Sequence, residues 1–257
     1  MLAVFALRLA LGLTACLLLL SPAQVNPRFF RTHFLTALGL TVLALVWLWD
    51  VESPALAWAL GAAAGLALLG SIAWSLEGAP AGRALVMLTP LALAAALGLA
   101  GWAGTGTAEG DSLPGGRVER GWLLADDFSS AGLLGTATTA MLIGHSYLIA
   151  PAMSLTPLLR LLKALFVCLI VRMGLAAVGL WHWTAGAAPD TLEVTLWLVP
   201  RWGVGFVAPL VLGWMAWETA RIRSTQSATG ILYVVVIFCF LGELTGQLLL
   251  RQSGIPL

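Results

Sequence analysis

An all-α, polytopic integral membrane protein of about eight transmembrane helices is the fold class this sequence predicts, and three observations carry it. The 257 residues are 60% hydrophobic and only 10% charged, with a mean hydropathy of +0.96, whereas soluble domains carry roughly 25% charged residues. The apolar residues gather into runs of about 20, the length that crosses a hydrocarbon core of about 30 Å as a helix. Those runs are continuous, as from Leu91 to Ala100, and lack the alternation of apolar and polar residues that a barrel wall requires.

In chain order the expected spans lie near residues 2–21, 34–50, 55–75, 84–104, 129–150, 158–181, 193–217 and 227–249. The first holds Arg8 inside its apolar run, with no basic segment before it, so it reads as a retained helix rather than a cleaved signal. The fifth carries Gly132, Thr136 and Thr139, a small and hydroxyl-rich surface suited to close helix packing. The seventh contains Pro200 and Pro209, which remove hydrogen bonds from its ladder and free carbonyls. Cys16, Cys168 and Cys239 fall inside spans without close spacing and read as packing residues.

Residues 105–128, with the run EGDSLPGGRVERG, read as an outer surface loop joining two four-helix units, 1–104 and 129–257. The halves resemble each other. SPAQVNPRFFR after the first span parallels APAMSLTPLLR after the fifth, and Gly70, Ala73 and Trp74 parallel Gly213, Ala216 and Trp217. A duplication of four plus four helices makes the repeats parallel, related by an axis along the membrane normal.

Basic residues collect on the cytoplasmic side. Arg28, Arg31, Arg83, Arg160, Lys163, Arg221 and Arg223 follow the odd-numbered spans, while Asp50, Glu52, Glu109, Asp111, Glu119, Asp126, Asp127, Asp190 and Glu193 lie on the opposite side. Both termini are therefore expected outside. Trp47, Trp49, Trp58, Trp102, Trp181, Trp183 and Trp197 then fall at the outer interface, as an aromatic belt. Arginine in place of lysine at all basic positions but Lys163, with abundant alanine and leucine, suggests a prokaryotic gene of high GC content and hence a plasma (inner) membrane.

Ionisable groups inside spans are costly, roughly 3 kcal/mol each, and mark sites or buried pairs. Arg8, Arg172, Arg201 and Glu243 all fall in the outer half of the membrane at about 1.5 Å per residue. Three arginines against one glutamate leave positive charge for an anion or a polarised oxygen, such as a quinone carbonyl, a haem propionate, a lipid phosphate or an anionic solute. The plainer reading is an ion pair of Glu243 with Arg172 or Arg201, with Arg8 snorkelling to the headgroups. His145 and Tyr147 lie near the cytoplasmic end of the fifth span, where a histidine can carry protons, ligate haem or simply bond a neighbouring helix. Haem b is disfavoured, because His33 sits too shallow and His182 outside.

The layout, with the FLGELTGQ of Phe240 to Gln247 in the last span, resembles the membrane-anchor subunits of polysulfide and dimethyl sulfoxide reductases. That resemblance implies electron transfer between membrane quinone and an iron–sulfur partner subunit. The sequence therefore reads first as a membrane subunit of a respiratory or other electron-transfer complex. Its arginine–glutamate group would meet quinone near the outer side, and it would be an anchoring or quinone-interacting subunit rather than a stand-alone enzyme. A proton-coupled or anion-binding carrier and a purely structural or assembly protein are the alternatives. Partners are membrane lipid and redox subunits. Nucleic-acid binding, zinc hydrolysis and nucleotide binding find no motif.

Overall fold

In a hydrocarbon solvent each backbone N–H needs an acceptor within its own segment, and every regular element among the described residues is helical. The computed structural model describes residues 1–49, 53–76, 81–103, 117–150, 153–185 and 192–257. Asp50, Glu52, Glu109, Asp111 and Asp190, and the outer-loop residues 105–116, lie outside them. Seven helical stretches among the described residues are long and apolar enough to cross a membrane: Leu2–Leu19, Pro27–Trp47, Pro54–Ala73, Gly82–Trp102, Thr156–Ala185, Val194–Arg221 and Thr225–Ser253. The chain is a polytopic helical membrane protein.

The helices are α1 (Leu2–Cys16), α2 (Pro27–Trp47), α3 (Pro54–Ala73), α4 (Gly82–Trp102), α5 (Arg117–Ile149), α6 (Thr156–Ala185), α7 (Leu192–Trp202), α8 (Ala208–Arg221) and α9 (Thr225–Ser253). Local chemistry starts several of them outside the apolar windows. The Asn26 side chain accepts the Arg28 N–H at 2.9 Å with Pro27 in the first turn, so α2 begins well before residue 34 and takes in Arg28 and Arg31. Ser53 caps α3 in the same way, ahead of Pro54.

One expectation is corrected. Residues 117–128, expected in the outer loop, are helical and open the 33-residue α5. The same helix covers the expected fifth span and is less apolar than the seven stretches above. Ser129, Ser130, Thr136, Thr138 and Thr139 lower its hydropathy, and they are tolerable because α5 buries Ser130 and Thr139 completely against its neighbours. The seventh span is interrupted between its two prolines, as their missing N–H groups lead one to expect. Between α7 and α8 the chain widens into a π-turn, Gly203–Val207, in which the Ala208 N–H bonds back to Gly203 O. Pro209, with no N–H to offer the carbonyl four residues earlier, favours that wider register.

The chain divides into two compact units, Met1–Gly106 and Thr107–Leu257. In the first, α1 packs on α2 and α4, and α3 lies between α2 and α4. In the second, α5 packs on α6 and α9, α8 lies against both α6 and α9, and α7 packs on α9. Each unit is thus a ring of helices in the same order. A shared detail runs through both. Gly70 of α3 admits the ring of Phe34 from α2, leaving no room for a Cβ, while a Cβ on Gly213 of α8 would meet Phe166 of α6 at 3.4 Å. One turn further on, Trp74 stacks on Phe30 at 4.3 Å, and Trp217 lies 5.8 Å from the ammonium of Lys163. Trp47, Trp49, Trp58, Trp102, Trp181 and Trp197 are exposed, the placement of interfacial anchors. Trp183 packs instead against the cluster of Val194, Leu249 and Leu257.

Candidate functional site: a buried ion network

Four helices of the second unit each contribute one charged side chain to a single network. Arg172 sits near the middle of α6 with 2% of its surface exposed. Its Nε donates to Glu243 Oε1 at 3.0 Å and its Nη2 to Glu243 Oε2 at 3.1 Å, the two-pronged match of guanidinium to carboxylate. Its Nη1 donates to Asp126 Oδ1 from α5. Arg201, in the last turn of α7, reaches the same Glu243 Oε1 at 3.0 Å through Nη1, and Gly242 O at 2.7 Å. Its Nε donates to the main-chain oxygen of Leu257 at 3.0 Å. Both Arg201 and Glu243 are fully buried.

Glycines make this geometry attainable. In the segment Gly242-Glu243-Leu244-Thr245-Gly246 of α9, small residues recur every fourth position and hollow one face. The π-turn enters at Gly205, where a Cβ would meet Gly242 Cα at 2.8 Å, and the Arg201 side chain lies over Gly246, whose Cβ would meet Cζ at 2.9 Å. Arg201 Cζ also stands 4.3 Å from the centre of the Phe206 ring, a cation–π contact in a dry setting. Trp202 meets the same ring edge-on at 5.3 Å.

Of the residues singled out in the sequence, the second unit brings together Arg172, Arg201 and Glu243. Arg8 belongs to α1 of the first unit. At 2% exposure it is buried, against the alternative in which it snorkels to the headgroups. The expected excess of positive charge is also corrected, since Asp126 brings a second carboxylate to the two guanidiniums of the second unit. In the sequence Asp126 reads as a surface-loop residue because a carboxylate beside glycine-rich sequence looks solvated. The missed signal is helical spacing: Asp126, Ser130, Leu133 and Ala137 follow one another at three or four residues, and all are buried.

His145 and Tyr147, the residues expected near a proton path, face different surroundings. Two residues apart on α5, they point in different directions: His145 is exposed, whereas Tyr147 is buried and its hydroxyl donates to Ser154 O at 2.5 Å. His145→Ala is accordingly expected to change stability by no more than about 0.5 kcal/mol. Tyr147→Phe leaves the Ser154 carbonyl without that donor and is expected to cost about 1 kcal/mol. Unfolding of both variants in detergent measures the difference. His33 is buried in α2, its Nδ1 2.9 Å from Phe29 O and its ring against that of Phe29.

Compared with known protein families, curated proteins and solved structures, the chain shows no match in any of the three.

Proposed function

We propose that the chain is a membrane subunit of an electron-transfer complex, holding a quinone-class molecule at the Arg201 end of the network and anchoring a redox-active partner subunit. The supporting observation is a pair of buried donors. Arg201 Nη2 and Trp202 Nε1 have no hydrogen-bond acceptor among the described residues, and both side chains border the Phe206 ring. A buried donor without an acceptor costs about 1–3 kcal/mol, and more on a charged group. A ligand bringing carbonyl oxygens on a flat apolar ring would supply acceptors and pack against the aromatic side chains. Quinones have that chemistry and dissolve in the bilayer. The adjoining π-turn is a common device at functional sites.

Reduction of a quinone to its quinol takes up two electrons and two protons. The electrons pass between the ring and the partner subunit, the protons exchange with the aqueous phase on the outer side, and the role of this chain is to bind the carbonyl oxygens. Arginines gathered at the ends of α2, α4, α6 and α8 support both termini outside, and the preference for arginine over lysine supports a prokaryotic plasma membrane.

One observation favours a second reading, a structural lock without a ligand. All the Arg172 nitrogens are already committed to carboxylates, which ties α5, α6 and α9 together. The two readings separate when the protein is purified in mild detergent with whatever accompanies it, then extracted for quinone and scanned in reduced-minus-oxidised visible spectra. Bound quinone that falls at least fivefold in Arg201→Gln, together with haem or iron–sulfur bands from a partner, supports the first reading. A clean single chain with no quinone and a featureless spectrum leaves only the lock.

A further inference from the structure

Away from the ion network, α6 and α8 part to leave an apolar groove of about 840 Å³, walled by aliphatic and aromatic side chains with Lys163 among them. Val167, Ile170, Val211 and Trp214 stand more than half exposed along it. Lys163, the single lysine of the chain, sits at one end with its ammonium 5.8 Å from the centre of the Trp217 ring. The residues from Lys163 to Ile170 rise about 10 Å along the helix, so the charge marks one end of the groove and aliphatic side chains form the rest.

The first unit shows what a closed version of this cleft looks like. There Phe30 stacks flat on Trp74 at 4.3 Å, and Phe34 fills the hollow over Gly70. At the matching level of the second unit, Trp217 faces Lys163 instead of a second aromatic ring, and Phe166 covers Gly213. An ammonium on a flexible stem cannot fill the cleft as a ring does. It brings three hydrogen-bond donors to the mouth of an apolar channel. Arg160, one turn earlier on α6, is exposed and adds a second positive charge at that end.

We propose that this groove binds an anionic phospholipid, with one acyl chain lying along Val167, Ile170, Val211 and Trp214 and the phosphate held by Lys163. The charge selects the occupant. A zwitterionic lipid would gain the same apolar contacts but less from the cation, and a basic pocket between transmembrane helices is a recurrent headgroup site. The ring of Trp217 holds the ammonium near the mouth and keeps it from turning outward to bulk solvent.

Native mass spectrometry of the full-length protein, delipidated and then titrated with dioleoyl phosphatidylglycerol or dioleoyl phosphatidylcholine, tests the site. One phosphatidylglycerol is expected to bind about fivefold more tightly than phosphatidylcholine, the equivalent of one interfacial lysine. That preference is expected to disappear in Lys163→Ala and persist in Lys163→Arg. Val211→Trp, which fills the groove from the opposite wall, is expected to abolish retention of either lipid while leaving Lys163 in place. Equal binding of the two lipids, or a preference untouched by Lys163→Ala, overturns the proposal. So does a detergent-stable dimer that Val211→Trp dissociates, because the groove would then be covered by a second copy of the chain.

Discussion

Glu243→Ala is expected to destabilise the second unit by about 3–5 kcal/mol, the cost of breaking a buried ion pair from one side. The carboxylate is the hub of the network. Its two oxygens accept from Arg172 at 3.0 and 3.1 Å and from Arg201 at 3.0 Å. Removing it leaves Arg172 bonded to Asp126 alone among these carboxylates and leaves Arg201 with the main-chain oxygens of Gly242 and Leu257. Two guanidiniums then face each other in a medium with little dielectric screening. Glu243→Gln keeps the shape and one acceptor oxygen, so a clearly smaller loss is expected. Thermal unfolding in detergent, with membrane yield as a second readout, ranks the variants. An unchanged midpoint for Glu243→Ala would remove the network from any account of how α6, α7 and α9 are held together.

Gly242→Ala is expected to rank second, at about 3 kcal/mol, the upper part of the range for overpacking. The new Cβ would collide with the Cα of Gly205, and the reciprocal Gly205→Ala would set its Cβ 2.8 Å from the Cα of Gly242. Both obstacles are backbone atoms, so neither change can be absorbed by rotating a side chain. Pushing α9 from the π-turn would also stretch the bond from Arg201 Nη1 to Gly242 O. Gly98→Ala supplies the contrast. A Cβ there meets nothing within 4 Å, and replacing a helical glycine by alanine stabilises by up to about 1 kcal/mol. The opposite signs are read in the same unfolding experiment, and equal effects at the two positions would contradict the close approach of α9 to the π-turn.

Three of the four residues of the ion network are legible in the sequence. Arg172, Arg201 and Glu243 stand out because each interrupts an apolar run, and a bilayer makes such interruptions expensive. Asp126 does not interrupt a run. It lies among glycines and acids that look solvated, and its burial depends on α5 extending back to Arg117. His145 and Tyr147 are close in sequence, but two residues along a helix turn a side chain by about 200°. Tyr147 therefore turns inward to Ser154 while His145 stays outside. The groove at Lys163 was also invisible, because a single lysine near a helix end reads as an orientation signal rather than as one wall of a cleft.

Composition and run length alone determined that this chain is helical and crosses a membrane several times, since the hydrophobic effect and the demand for internal backbone hydrogen bonds act on each segment separately. They also marked three of the four network residues. Tertiary structure decided which charges meet, because partners such as Arg172 and Asp126 lie on different helices and are joined only when α5, α6 and α9 pack. It decided, too, that Gly242 and Gly205 are contact points. A glycine in a helix has no side chain to announce its neighbour, and its value depends on the backbone that approaches it.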